Sequence, residues 1–187
     1  MIVIMTIRIL LIMLCFGIWT VPVTADQTSG RLDGLFDRLQ SASDHAQASK
    51  IEHQIWTIWG LPQDRAASVP FAQGVIAMKH GDLDGARKYF DDVVRIAPQF
   101  AEGWNKRATV AYALGDLDAS VLDIQKTVTL EPRHFGAMAG LALIQTEYGL
   151  HESALDILNK IKEIYPHMPG IDDWMQTMRE QIANKKT

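Results

Sequence analysis

Histidine is the residue type in this chain most suited to binding a metal. No two histidines stand three or four residues apart, the spacing that brings both imidazoles to one face of a helix. The nearest pair, His45 and His53, is separated by eight residues, or two helical turns. We therefore expect surface or cap histidines, and neither a metal nor another cofactor. The six are His45, His53, His80, His134, His151 and His167.

Adjacent carboxylates occur twice, at Asp91 with Asp92 and at Asp172 with Asp173. Neighbouring residues on a helix point about 100° apart, so neither pair converges on a substrate. The first pair is interpreted as a solvated helix face and the second as favourable charge at a helix start. Neither a Gly-x-Ser-x-Gly nucleophile motif nor a glycine-rich phosphate loop occurs. The sequence predicts that the protein is not an enzyme.

Tryptophans could instead form a flat platform for a ligand. Trp56 and Trp59 stand three residues apart on one face of a helix predicted at about 43–59. We expect both to pack against the first of the repeated units described below. Trp104 is expected in the core, so no ligand platform is predicted.

Composition narrows the function classes further. The 187 residues are 48% hydrophobic and 21% charged, values typical of a globular protein rather than of a disordered chain. The formal net charge is −4, which argues against nucleic acid as a partner.

An apolar run at residues 9–19 follows the positive charge of Arg8 and precedes small residues that end at Ala25. A membrane span needs about 20 apolar residues, and this run reaches that length only by burying Arg8. Residues 1–25 are therefore predicted to be a cleaved signal peptide. The mature chain would be exported, in a periplasm, without stable membrane insertion and without Cys15, the single cysteine. The alternative is an uncleaved signal anchor that tethers the protein to the inner membrane.

The remaining chain repeats with a period of 34 residues. The glycines are expected to end the first helix of each unit in a left-handed conformation, and the prolines to close the unit. Asp82 and Asp116 stand where a carboxylate caps the next helix. Small residues allow the two helices of a unit to approach closely. Four sets of residues, called here columns, recur at this spacing: Pro98, Pro132 and Pro166; Gly81, Gly115 and Gly149; Gly74, Ala108 and Ala142; and Ala86, Ser120 and Ala154.

These columns resemble the tetratricopeptide repeat (TPR) family, with Trp104 at the position of its large aromatic residue. The pattern departs from the family at Pro70 and Met138 in that aromatic position, at Ser120, and at Leu150 in place of a capping Asp. The fold expected is all-α, a helix-turn-helix repeat solenoid with helical caps. Its segments are an N-terminal cap at 26–66, three repeats within 67–166 (67–100, 101–134 and 135–168), and a C-terminal capping helix and tail at 169–187.

The resemblance implies a concave groove, lined by the first helix of each repeat, that binds a peptide segment or helix of a partner protein. Cochaperone TPR domains hold a carboxylate at places where this chain retains one basic group, Lys106, so their partners are not expected. The predicted function is a scaffold or adaptor in the cell envelope, for a protein or peptide of unknown identity. The alternative is a structural subunit of an envelope assembly or homo-oligomer that uses its caps or convex face. The expected groove residues are Phe71, Val75, Met78, Glu102, Asn105, Thr109, Tyr112, Ala139, Leu143, Thr146 and Glu147.

Overall fold

A computed structural model describes residues 30–185, which form nine α-helices and no strand. The predicted all-α class is confirmed for this range, and the predicted signal peptide at 1–25 lies outside it. The helices are α1 (Gly30–Gln40), α2 (His45–Trp59), α3 (Arg65–Lys79), α4 (Leu83–Ile96), α5 (Ala101–Ala113), α6 (Leu117–Leu130), α7 (Phe135–Glu147), α8 (His151–Ile164) and α9 (Ile171–Asn184).

Three helix pairs, α3 with α4, α5 with α6 and α7 with α8, form the repeated units. The predicted small residues lie where the paired helices meet. A Cβ atom on Gly74 would stand 2.7 Å from the Phe90 ring. Any larger residue at this position would therefore push α3 and the Phe90 side chain of α4 apart. In the second unit, the Ser120 hydroxyl donates to the Ala108 carbonyl oxygen at 2.9 Å. The serine that departs from the family pattern therefore joins the two helices.

The turn inside each repeat follows the predicted local chemistry. Gly81 and Gly115 have φ of 77° and 80°, a left-handed conformation in which a Cβ-bearing residue is strained. The Asp82 carboxylate then accepts from the Gly85 amide at 2.9 Å, and Asp116 caps α6 in the same way. Leu150 offers no side-chain cap to α8. These predictions are confirmed.

Successive repeats pack through the first helix of one and the second helix of the unit before it. Val110 of α5 is buried with Phe90 and Val93 of α4. Ile144 of α7 is buried with Ile124 of α6. The interface between repeats is thus apolar and recurs with the sequence period.

The helices α1 and α2 form an antiparallel pair, called here the N-terminal hairpin, that folds back on the third repeat. Four long-range hydrogen bonds fix its position, one of them from the Tyr165 hydroxyl to the Glu52 carboxylate at 3.0 Å. Gln40 donates to the Glu163 carbonyl at 3.0 Å, and His45 Nδ1 lies 2.9 Å from the His167 carbonyl. The fourth joins Arg133 Nη1 to Asp33 at 2.7 Å. Its apolar core consists of Leu32, Leu39, Ile51, Ile55 and Trp59, packed with Phe135, Leu158, Ile161 and Tyr165.

The expectation that Trp56 and Trp59 pack against the first repeat is therefore wrong. Trp59 stacks on His134, and Trp56 meets Phe135 edge-on with ring centroids 5.5 Å apart. The third repeat offers an apolar docking face, which includes Phe135 and Tyr165. Trp59 is fully buried there and Trp56 partly buried, and both remove apolar surface from water.

The C-terminal helix α9 caps the last repeat. Ile171, Met175 and Met178 are buried against the preceding helices, whereas Asp173 and Gln176 face solvent. The amphipathic helix predicted at 171–182 is confirmed and runs two residues further. Trp104, expected in the core, is only partly buried, and its Nε1 donates to the Pro98 carbonyl at 3.0 Å.

Candidate partner-binding groove

The first helices of the three repeats, α3, α5 and α7, lie side by side. Between α5 and α7 is a pocket of about 160 Å³, called here the α5–α7 pocket. Four of the predicted groove residues meet there, and α6 contributes the floor. The lining residues are Asn105, Ala108, Thr109, Tyr112, Ser120, Ile124, Gly136, Ala137, Gly140 and Leu143.

Two glycines of α7, Gly136 and Gly140, line the pocket. A Cβ atom on Gly140 would meet only the Ile124 Cδ1 atom, at 3.4 Å. The space beside Gly140 is therefore open to a larger group. Leu143, which is partly exposed, and the Ile124 side chain make the walls apolar. The pocket suits an apolar group more than a charged one.

Contacts across the groove bound the pocket at both ends. At one end, the Tyr112 hydroxyl donates to the Glu147 carboxylate. At the other, a Cβ atom on Gly136 would stand 2.6 Å from Trp56 Cη2. The N-terminal hairpin thus inserts an indole against the groove side of α7, and the pocket is what remains between Trp56 and Tyr112.

A buried polar cluster adjoins the pocket through Asn105 and is centred on Glu102, whose side chain is only 2% exposed. Its carboxylate accepts from Asn105 Nδ2 at 2.8 Å and from His134 Nε2 at 3.0 Å, and it lies 3.0 Å from Lys106 Nζ. Burial raises the pKa of the Glu102 carboxyl, but the hydrogen bond from His134 and the charge of Lys106 outweigh burial and hold the pKa below its usual value. The carboxylate is therefore ionised and does not face the groove.

The hydrogen bonds of His134 fix its tautomer. Its Nδ1 accepts from the Ala137 amide at 3.1 Å and so caps α7. A nitrogen that accepts carries no proton, and Nε2 must therefore hold the proton that it donates to Glu102. His134 joins the helix cap, the buried carboxylate and the N-terminal hairpin.

The tetratricopeptide repeat family model matches residues 71–130 and 105–169, which together make up more than half of the chain. The chain belongs to the tetratricopeptide repeat family. Among curated relatives, a TPR repeat-containing protein of Rhizobium etli is 29% identical over 84% of this chain and 77% of its own length. Tetratricopeptide repeat protein 36 of Danio rerio is 34% identical over 39% of this chain and 38% of its own.

Solved structures share the TPR fold at lower identity. The TPR2B domain of yeast Sti1, in complex with pHsp70, has a TM-score of 0.58 at 22% identity over 63% of this chain and 99% of that domain. The first TPR domain of Spaghetti (RPAP3), bound to an HSP90 peptide, has a TM-score of 0.60 at 17% identity. The match covers 63% of this chain and 93% of that domain. A MamA structure has a TM-score of 0.58 at 16% identity over 80% of each chain. At these identities the likeness shows the fold alone.

The other predicted groove residues of this TPR protein lie outside the pocket. Phe71 packs edge-on against Phe100, with ring centroids 5.1 Å apart, and Met78 is partly buried in the same cluster. Val75 is exposed on α3. Thr146 donates to the Ala142 carbonyl at 2.8 Å and contacts the C-terminal helix.

Sequence reasoning missed His134 and the role of Trp56. His134 stands one residue before α7, the position from which a side chain caps a helix, and that position was the available signal. Lys106, the one basic group at the places used by cochaperone TPR domains, pairs with Glu102 and lies 5.6 Å from the centre of the Trp56 ring. Its charge is therefore directed inward.

Two further observations concern residues 30–185. None of the helices in this range is long and apolar enough to cross a membrane. The same residues contain no group of three or more His, Cys, Asp or Glu side chains placed to hold a metal ion.

Proposed function

We propose that this TPR protein is a non-enzymatic scaffold or adaptor that binds a segment of a partner protein between α5 and α7. The observation that carries the proposal is the α5–α7 pocket, which is apolar and open beside Gly140. One apolar side chain of the partner enters the pocket, and the flanking backbone lies along the groove. Affinity comes from burial of that side chain rather than from charge.

The volume of the pocket supports a single large apolar anchor. A dry cavity of about 150 Å³ holds a benzene molecule, and the α5–α7 pocket measures about 160 Å³. Leucine, methionine and phenylalanine side chains are of this size. The partner segment therefore presents one such residue, on an extended strand or on one face of a helix.

TPR structures that share this fold support the general mode of binding. The Spaghetti domain is bound to an HSP90 peptide, and the Sti1 domain is in complex with pHsp70. In this chain Lys106 is paired with the buried Glu102, so the apolar pocket rather than a basic side chain supplies the main binding contact for a partner. The proposed partner is thus an apolar peptide segment rather than a terminal carboxylate.

The proposed location is the cell envelope, in a periplasm. Support comes from the sequence alone, through the apolar run at 9–19 and the small residues before Ala25. N-terminal sequencing of the protein from fractionated cells tests this. Asp26 as the first residue in the periplasmic fraction supports export, whereas Met1 in the cytosol contradicts it.

Filling the pocket tests the binding mode. Gly140→Leu places a side chain in the α5–α7 pocket, where the nearest neighbour of its Cβ atom is Ile124. Gly34→Leu is the matched control, because Gly34 lies on α1 with open space around its Cβ position. A photoreactive residue at Thr109, on the groove face of α5, reports crosslinking to a partner in cells.

The expected result is a discrete crosslinked partner in the unfilled protein and in Gly34→Leu, and its loss in Gly140→Leu. Circular dichroism must show that all three proteins remain folded. A partner retained by the folded Gly140→Leu variant contradicts binding through the pocket.

A further inference from the structure

Three hydroxyl groups line the α5–α7 pocket, and each already donates its single proton within the protein. Thr109 Oγ1 and Ser120 Oγ each donate to a backbone carbonyl oxygen of α5, in both cases at 2.9 Å. The Tyr112 hydroxyl donates to the Glu147 carboxylate. A hydroxyl has one proton and two acceptor lone pairs, so each of these groups can only accept from an additional partner.

The Asn105 side chain adds a fourth acceptor to the pocket. Its Nδ2 donates to the Glu102 carboxylate at 2.8 Å, and this contact turns the amide oxygen away from that negative charge. The Oδ1 atom accepts no hydrogen bond from residues 30–185. Solvent still reaches this oxygen, and Asn105 lines the pocket, so a donor placed in the pocket can bond to it.

The two hydroxyls nearest the groove belong to α5. Thr109 and Tyr112 stand three residues apart, so they share one face of the helix. The residues 34 positions earlier, on α3, are Val75 and Met78, which carry no hydroxyl. The residue 34 positions after Thr109 is Leu143, the apolar wall of the pocket. The acceptors are therefore a feature of this pocket and not of the groove as a whole.

A purely apolar group in the pocket would cover these lone pairs and remove the water that reaches them. A polar atom that is buried without a hydrogen bond costs free energy, because its bond to water is lost and not replaced. A donor at the end of the incoming group restores that bond. The Glu147 carboxylate, which holds the Tyr112 hydroxyl, also favours the positive end of an N–H or O–H dipole in its neighbourhood.

We propose that the partner residue that enters the α5–α7 pocket is a tyrosine, whose ring fills the apolar space and whose hydroxyl donates to Thr109 Oγ1 or Tyr112 Oη. This inference rests on the proposed function, since it names the side chain that occupies the same pocket. Phenylalanine has the ring but no donor. Lysine has donors, but its charge would lie against the apolar walls that Ile124 and Leu143 form.

Three small aromatic compounds test the proposal. Toluene represents a phenylalanine side chain and 4-methylphenol a tyrosine side chain, whereas 4-methylanisole carries the same oxygen without its proton. Each is titrated into protein expressed from the full 187-residue chain and purified in the form that cells accumulate, and amide chemical shifts report binding. We expect 4-methylphenol to bind about 2- to 10-fold more tightly than toluene, as one added hydrogen bond allows. We expect 4-methylanisole to bind more weakly than toluene, because it places a fifth acceptor among the four.

Removing the two groove-facing hydroxyls tests which atoms accept. Thr109→Val with Tyr112→Phe keeps the shape of both side chains and deletes both oxygens. This double variant is expected to bind 4-methylphenol no more tightly than toluene, with toluene affinity unchanged. Thr129→Val with Tyr148→Phe makes the same chemical changes at exposed positions outside the pocket and should bind all three compounds as the wild type does. Circular dichroism must show that both double variants remain folded.

The outcomes separate this inference from the proposed function. Equal affinity for toluene and 4-methylphenol, or for 4-methylanisole and 4-methylphenol, overturns the donor requirement and leaves the pocket as a binding site. An advantage of 4-methylphenol that survives in Thr109→Val with Tyr112→Phe overturns the assigned acceptors. Gly140→Leu, which fills the pocket, is expected to abolish binding of every compound. If none of them binds the wild type, or if Gly140→Leu binds them equally well, the pocket is not a binding site and both proposals fall.

Discussion

The indole of Trp59 stacks on the imidazole of His134, with ring centroids 4.1 Å apart and planes inclined by 6°. The stack joins α2 to the turn that opens the third repeat. The other side of His134 holds the Glu102 carboxylate and the start of α7. The position of the N-terminal hairpin and the polar cluster around Glu102 are therefore coupled through His134.

Removing the stacked indole should separate the hairpin from the repeats. Trp59 is fully buried, and Trp59→Ala is expected to cost about 3–5 kcal/mol in the free energy of unfolding, because it leaves a cavity beside His134. Trp104→Ala, at a partly buried site, is expected to cost less. Urea denaturation followed by circular dichroism measures both. If Trp59→Ala and Trp104→Ala lowered the free energy of unfolding equally, the contact of Trp59 with His134 would not be the stronger of the two.

Two glycines of α7 should respond in opposite directions to the same substitution. Gly136→Ala drives a methyl group into Trp56, and this overpacking is expected to cost about 1–3 kcal/mol. Gly140→Ala meets only Ile124 at contact distance and is expected to gain about 0.5–1 kcal/mol from helix propensity. Thermal melts of the two variants compare them directly. A stabilised Gly136→Ala protein would contradict the described position of Trp56.

Acidification should reveal the buried carboxylate. Because the folded pKa of Glu102 is below its ordinary value of 4.5, its ionised form favours folding. This contribution is complete above about pH 4.5 and is lost as the pH falls through the folded pKa. Glu102→Gln is expected to cost about 1–3 kcal/mol at neutral pH and to lose less stability than the wild type on acidification.

Urea midpoints measured from about pH 7 to about pH 3 test that difference. Glu152→Gln, at an exposed position of α8, is the control and should follow the wild type. Parallel curves for the wild type and Glu102→Gln would count against the cluster as a source of pH dependence.

The guanidinium of Arg107 ties the second repeat to the first. Its Nε and Nη2 atoms donate to the two oxygens of Asp123, each at 2.7 Å, and Nη1 donates to Asp91 at 2.9 Å. A lysine cannot make this forked contact, so Arg107→Lys is expected to cost about 1–3 kcal/mol. Arg95→Lys, in an exposed pair with Asp92, should change stability by less than about 0.5 kcal/mol. Similar midpoints for both variants would refute the distinction.

The repeats were predictable because their signals are local. Gly115 ends one helix and Asp116 caps the next within the same turn, and each acts on backbone groups a few residues away. Such rules depend on dihedral angles and hydrogen bonds that a short segment fixes alone. Leu150 follows the same local rule: a leucine side chain has no oxygen that could cap α8, and none does so.

The position of the N-terminal hairpin was not predictable in this way. Trp59 carries an apolar face but no signal that distinguishes the first repeat from the third. Its choice depends on Phe135 and Tyr165, far along the chain, and on the shape of the face that they form. Glu102 was predicted to line the groove, but it is buried. Its burial depends on His134, 32 residues away, and no local pattern shows that contact.

The return of α1 to the third repeat also sets an order of events during synthesis. Gln40 bonds to the carbonyl of Glu163, which is translated 123 residues later. At about 5–20 residues per second, roughly 6–25 s separate the two residues at the ribosome. The apolar sides of α1 and α2 have no docking site during that interval. A chain whose repeats could otherwise fold one after another must therefore protect its first two helices until the last repeat emerges.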